Sequence, residues 1–262
     1  MNKLIVGGLG VKELKQMTIE TLESLKRADA VLYLGVTPQR HLPQIAQWGA
    51  KNAASILELY TDGDVDENNY QRLCAAVLET AGRHPLTVLL VPGHPRIGVT
   101  LVQRLEKLCP MNGIALGVQP GISSFDAMLN DLARDPLEKG SVMIDANRML
   151  LFDMRWDPTL DCYLYHVCSV GTRKVHLSDA RQENSWDLLK QHLLTIYPKD
   201  ARVELVSSST KEENLSSRVS APLSEIETLF ESVHFGTTMF IPGQKPASMN
   251  KNFMNLLMAR AK

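Results

Sequence analysis

The first half of the chain alternates short, wholly apolar runs with stretches whose apolar residues recur every three or four positions. Leu4-Ile5-Val6 ends in Gly7-Gly8-Leu9-Gly10, which predicts a buried strand closing in a tight turn. Thr18 precedes Ile19, Leu22, Leu25 and Ala28, the apolar face of a capped helix. Ala30 to Gly35 predicts the next strand, and polar, proline-containing sequence follows to Trp48. Asn68 or Asn69 then caps a helix carrying Leu73, Ala76, Val77 and Ala81. Leu86 to Val91 is the most continuous apolar run and stops at Pro92-Gly93-His94-Pro95. Thr100 to Leu108 has helical spacing, Ile114 to Val118 reads as a strand, and Pro120-Gly121 forms a turn before the next helix. Nearly all-apolar strands alternating with helices predict a parallel sheet covered on both faces.

The second half is less regular. Ser141 to Ala146, Cys162 to Val170, Arg202 to Val206 and Thr238 to Ile241 read as strands with more polar residues. Ser185 precedes a helix bearing Trp186, Leu189, Leu193 and Ile196, and Met249 to Ala259 reads as a terminal helix. The fold class expected is α/β, with two α/β domains. Residues 1–121 form an N-terminal domain with a parallel sheet, and residues 122–262 a C-terminal domain with a mixed sheet.

Composition narrows the function classes. The chain has 262 residues, a net charge of −1 and 44% hydrophobic residues, so it can bury a core and carries no basic excess to neutralise phosphates. No nucleic acid partner is expected. No apolar run approaches the ~20 residues that span a bilayer, and the N-terminus has no secretory pattern. A soluble, cytoplasmic protein without a membrane partner is expected. Cys74, Cys109, Cys162 and Cys168 form no C-x-x-C pair and read as small buried hydrophobes, so neither disulfide framework nor metal site is expected.

Three segments carry candidate chemistry. Val91-Pro92-Gly93-His94-Pro95 lies at the carboxyl end of the strongest strand, where open α/β sheets bind ligands. Its rigid, donor-poor loop can aim carbonyls at an amine or a cation. Ser123 and Ser124 follow the next strand and serve either as helix caps or as ligand contacts. Tyr60 and Tyr70 flank an acidic, polar segment, and a phenol can donate to a developing oxyanion or act as a base. Gly7-Gly8-Leu9-Gly10 lacks the third glycine of a dinucleotide fingerprint and reads as a turn where backbone approaches backbone.

In this order, Ile5 to Gly10, Met17 to Leu22, Ala28 to Val31, Val91 to Pro95 and Val118 to Ser124 resemble the tetrapyrrole (corrin/porphyrin) methylase superfamily. Within it the likeness is to the borosin-type peptide backbone α-N-methyltransferases. Gly93-His94-Pro95, Tyr165-His166-Val167-Cys168-Ser169-Val170-Gly171 and Thr237-Thr238-Met239-Phe240-Ile241-Pro242-Gly243 are similar to segments of those enzymes, and their tyrosine-bearing region lines up with Tyr60, Asp62 and Tyr70.

The resemblance implies a cleft between two domains that holds S-adenosylmethionine and releases S-adenosylhomocysteine. Pro92, His94, Ile97 and Gly98 are implied on one side of the donor, and Ser123, Ser124, His166, Thr237 and Thr238 on the other. Tyr60 and Tyr70 are implied as base and oxyanion donor, in either order. The sequence departs from the pattern at Asp66, where the family has a catalytic arginine, and at Leu57, where it has a further tyrosine. Arg72 stands two residues beyond Tyr70, about 200° round a helix, and points away. Arg96, in the donor loop, is the other candidate cation. The implied acceptor is a separate precursor peptide, and the implied assembly a homodimer. Asp66 leaves two alternatives open: methylation of a tetrapyrrole or other small molecule, or an inactive member serving as a binding subunit.

Overall fold

Five short runs pair as parallel strands, β1 (Lys3–Gly8), β2 (Ala30–Tyr33), β3 (Ala53–Ser55), β4 (Leu86–Val91) and β5 (Ala115–Gln119), in the order β3-β2-β4-β1-β5. The structure, a computed structural model, describes residues 1–210 and 216–260. Four helices connect the strands: α1 (Ile19–Arg27), α2 (Pro38–Gln47), α3 (Asp66–Arg83) and α4 (Thr100–Met111). Because side chains alternate along a strand, one face of the sheet buries Leu4, Val6, Leu89 and Val91 against Leu73, Val77, Leu101 and Leu105 of α3 and α4. The other face buries Ile5, Val31, Val88 and Leu90 against Leu25 of α1 and Ile45 of α2. Both faces are covered, as the continuous apolar runs predict. All four cysteines are free and buried.

The second half builds β6 (Ser141–Asp145), β7 (Asp161–Tyr165), β8 (Arg202–Ser207), β9 (Ser217–Pro222) and β10 (Thr238–Ile241), in the order β6-β7-β10-β8-β9. Only β6 and β7 run parallel, so this sheet is mixed. The helices α5 (Ser124–Leu132), α6 (Ala146–Leu151) and α7 (Trp186–Leu193) accompany it, and α8 (Lys251–Arg260) follows with no buried residue. Met128 and Leu132 of α5 pack on Tyr163, Val206 and Phe240, and the opposite face buries Leu164, Leu205, Met239 and Ile241 under Trp186, Leu189 and Leu193.

Several elements differ from expectation for physical reasons. In α1 the buried face is Thr21, Ser24 and Leu25, while Ile19 is 75% exposed. Gly7 has no Cβ, and one added there would stand 2.3 Å from Thr21 Cγ2, so α1 rides close to the sheet on small residues. Helix α3 starts at Asp66, before Asn68 and Asn69, because Asp66 N–H donates to the Arg173 carbonyl (3.0 Å) and Asp66 and Glu67 suit the positive helix end. Strand β7 stops at Tyr165 because His166 adopts φ 57°, a left-handed conformation no strand contains.

Candidate active site

The two halves are stitched together beside Tyr60. Gly63 N–H donates to the Val175 carbonyl (3.1 Å), Val65 pairs with Lys174, and the Asp62 carboxylate accepts from the backbone N–H of Leu177 (2.5 Å) and Ser178 (3.1 Å). Fully buried Asn69 holds the same loop from below, donating to the Thr61 carbonyl and accepting from Thr61 N–H. This segment therefore cannot swing away from residues 173–178, and Tyr60 and Asp66 face the His166 loop.

Tyr60 and Tyr70 come together, their rings edge to face with centroids 6.4 Å apart. Tyr60 Oη donates to Asp66 Oδ1 at 2.8 Å. Burial pushes the Tyr60 phenol far above the ordinary tyrosine range, and the hydrogen bond and negative charge of Asp66 push it further. Burial also raises the Asp66 carboxyl, against the lowering pull of the Tyr60 hydrogen bond and of His166 and Arg104. Tyr70 is raised by burial and by Asp66, but a Thr100 hydrogen bond and Arg104 oppose this.

Neither arginine singled out in the sequence stands at the tyrosines as a cation. Arg72 pairs with Asp64 (2.9 Å), donates to the Leu59 carbonyl (3.0 Å) and bonds Asn69, so it braces the loop. Arg96 pairs with Glu106 at 2.7 Å. The cation at the site is Arg104 of α4, which sequence reasoning missed. Its guanidinium carbon lies 5.3 Å above the Tyr70 ring, and both terminal nitrogens clamp Glu67 at 2.7 Å, holding that carboxyl at about 2. A cavity of about 420 Å³ runs along α4, lined by Thr100, Gln103, Arg104, Lys107 and Leu108. None of the residues expected at the donor lines it.

The expected donor residues fall into three groups. The first is the loop after β4. Here the carbonyls of Val91, Gly93 and His94 each accept one backbone hydrogen bond, from Leu9, Gly10 and Ile97, which leaves each a second lone pair for a ligand. Gly93 also locks the loop to its neighbours: an added Cβ on Gly8 would come 2.5 Å from the Gly93 oxygen, and one on Gly121 2.7 Å. Pro92 and Gly98 are exposed and His94 and Ile97 half-buried, with His94 Nδ1 accepting from Arg96 N–H (3.1 Å).

The second group joins the two halves. Gly98, at φ 69°, lies under His166, whose Nε2 is 3.3 Å from where a Cβ would sit. His166 is itself left-handed, a conformation that costs a non-glycine residue about 1–2 kcal/mol and clusters at functional sites. Its Nδ1 stands 2.6 Å from Asp145 Oδ2. Burial pushes the Asp145 carboxyl up, but the His166 and Arg148 N–H hydrogen bonds outweigh it and hold the group below its ordinary range. The result is an imidazole fixed against the bare backbone of Gly98.

The third group is occupied by local structure. Ser123 and Asp126 form a reciprocal capping box at α5: Asp126 N–H donates to Ser123 Oγ (3.0 Å), and Ser123 N–H donates to Asp126 Oδ2 (2.8 Å). Ser123→Ala is expected to cost about 1 kcal/mol of stability in urea unfolding and to leave ligand affinity nearly unchanged. Ser124 Oγ lies 3.5 Å from Tyr165 Oη, at the end of β7. Thr237 is buried and bonded to Ser207 and His234, and Thr238 is buried on β10 beside Val206. Among the described residues, no group of three or more His, Cys, Asp or Glu could hold a metal ion. None of their helices is long and apolar enough to cross a membrane.

The profile of the tetrapyrrole (corrin/porphyrin) methylases matches residues 3–218. The chain belongs to this family. It is 26% identical over 191 residues to a methyltransferase/ribosomally synthesized type II borosin cyclic peptide precursor of Phlebiopsis gigantea, covering 72% of this chain and 34% of that protein. A type I borosin precursor of Serendipita vermifera subsp. bescii is 29% identical, covering 72% of this chain and 46% of its own length. The chain thus spans between a third and a half of these two relatives. Among solved structures, the uroporphyrin-III C-methyltransferase of Thermus thermophilus complexed with S-adenosylhomocysteine superposes with TM-score 0.61 at 17% identity, covering 92% of this chain and 97% of that one. That likeness shows the methylase fold: two α/β sheets in one chain. Within it, this member has the Tyr60–Tyr70 pair, the Asp66 carboxyl and the His166 loop on facing sides.

Proposed function

We propose that the chain is an S-adenosylmethionine-dependent methyltransferase that N-methylates backbone amides of a peptide. Membership of the methylase family and the borosin precursors among its relatives support the reading. The observation that carries the acceptor is the edge-to-face Tyr60–Tyr70 pair, two phenols set to handle one N–H and one carbonyl oxygen. We place the donor between the halves where Gly98 meets His166, with Pro92, His94 and Ile97 on the strand side and Ser124, Thr237 and Thr238 opposite. We place the boundary of the two lobes at Gly121.

Bound S-adenosylmethionine supplies an electrophilic methyl group. The chain's task is to make an amide nitrogen nucleophilic. An amide N–H is far too weak an acid to ionise freely, so charge must build on the carbonyl oxygen while a base takes the proton. One tyrosine donates to that oxygen and the other receives the proton. The Asp62, Gly63 and Asn69 contacts fix both rings before the acceptor arrives, which is how positioned groups lower a barrier.

Methylation of a tetrapyrrole or other small molecule is a second reading, favoured by Asp66 in place of the family arginine. Incubating the protein with S-adenosylmethionine and a library of unstructured apolar peptides, in parallel with uroporphyrinogen, separates the two. A gain of one methyl, placed on a backbone nitrogen by fragmentation mass spectrometry, supports the proposal. Methylation confined to the macrocycle or to side chains contradicts it. The expected homodimer has a surface to bury in α8, whose Phe253, Leu257 and Met258 stand exposed, and sedimentation equilibrium of the full chain decides that point.

A further inference from the structure

We infer that Asp66 is the terminal proton acceptor of the reaction, acting through Tyr60, and that Tyr70 alone serves the carbonyl oxygen. This deepens the reading above and rests on it. The two tyrosines have opposite neighbours. Tyr60 already spends its O–H on Asp66 Oδ1 (2.8 Å), so toward an acceptor it presents lone pairs, not a proton. Tyr70 instead has the Arg104 guanidinium carbon 5.3 Å from its ring centroid, so its O–H stands beside a fixed positive charge, the setting that suits a donor to a developing oxyanion. One phenol is built as an acceptor and the other as a donor.

The step balances. The new nitrogen–carbon bond uses the nitrogen lone pair, and the methyl–sulfur bond breaks with its electrons kept by sulfur. The amide proton passes to Tyr60 Oη as the Tyr60 proton passes to Asp66 Oδ1. A sulfonium charge and a carboxylate charge vanish together, so the products leave no net charge in a half-buried site. An arginine at position 66 could not take a proton, and here Arg104 supplies positive charge from a different helix. The aspartate therefore changes the route of the proton while the oxyanion keeps its cation.

The groups facing Asp66 are Tyr60 before α3, Tyr70 on α3, Arg104 on α4, and His166 and Cys168 beyond β7. Asp145 stands behind His166, and Glu67 holds Arg104. Burial raises the Asp66 carboxyl and the Tyr60 hydrogen bond lowers it, so removing that bond moves its titration upward.

The test is carbon-13 NMR of the side-chain carboxyls in the full chain labelled at aspartate, with Asp66→Asn assigning the signal. Tyr60→Phe is expected to raise the Asp66 midpoint by about one unit, and Tyr70→Phe to move it the other way or not at all. An Asp66 midpoint unmoved by Tyr60→Phe overturns the relay. Asp66→Glu keeps a carboxylate should the asparagine variant not fold, and its signal must respond to Tyr60→Phe in the same direction. With a peptide acceptor, the rate should rise with pH through the Asp66 midpoint, and Asp66→Asn should abolish that limb. Coupled titration without transfer to any peptide sinks the peptide reading and leaves the couple intact. Transfer whose pH profile ignores Asp66 sinks the relay alone.

Discussion

Tyr70→Phe is expected to lower the rate of peptide methylation by about 10²–10³-fold, the usual loss when one donor to a developing oxyanion is removed. The phenol is held by packing as well as by polar contacts: its ring meets Tyr60 edge to face, with centroids 6.4 Å apart, and lies beneath Arg104. Phenylalanine keeps that shape and deletes only the O–H. Affinity for S-adenosylhomocysteine should stay within twofold of the wild type, because Gly98 and His166 are untouched. The expected signature is a fall in kcat with little change in KM, since the hydrogen bond strengthens only as charge develops on the carbonyl oxygen. An unchanged kcat would remove Tyr70 from the mechanism.

The second large effect is on stability. Phe240→Ala is expected to cost about 3–5 kcal/mol, the range for emptying an aromatic site in a packed core. Phe240 is fully buried on β10, between β7 and β8, where its ring centroid is 5.1 Å from that of Tyr163 and Arg134 lies 5.7 Å over it. Met128 and Leu132 of α5 close the site from above. A helix face cannot collapse into so large a void without dragging the Ser123 cap from its place. Urea unfolding should show a midpoint shifted down with little change in slope, and a loss below about 1 kcal/mol would mean that this face is not a packed core.

Local regularity accounts for how much of the fold can be read from the chain. The apolar runs at β1, β4 and β10 and the Thr18 cap of α1 are local signals, and the structure has them where the pattern places them. Helix α2 was not legible because Pro38 and Pro43 sit among polar residues, and only His41 and Ile45 are buried. Strand β9 lies at a sheet edge, so Ser217-Arg218-Val219-Ser220 shows no apolar run. The candidate site divides the same way. Tyr60 and Tyr70 are ten positions apart and stand together. Arg104 is thirty-four residues beyond Tyr70, and its neighbours are set by how α3 packs on α4, which no local spacing encodes. Arg72 looked closer in sequence and points elsewhere because the helical period turns it toward Asp64.

The most direct test is calorimetric titration of S-adenosylhomocysteine into the wild-type chain and into Gly98→Val. Gly98 is at φ 69°, and even the first carbon of a side chain would stand 3.3 Å from His166 Nε2. A β-branched residue is strained in that conformation and presses on the imidazole. The account predicts saturable binding to the wild type and its loss, beyond a hundredfold, in the variant, with both chains equally folded by circular dichroism. Absence of heat from the wild type at near-millimolar ligand, or equal binding by the two chains, would contradict it.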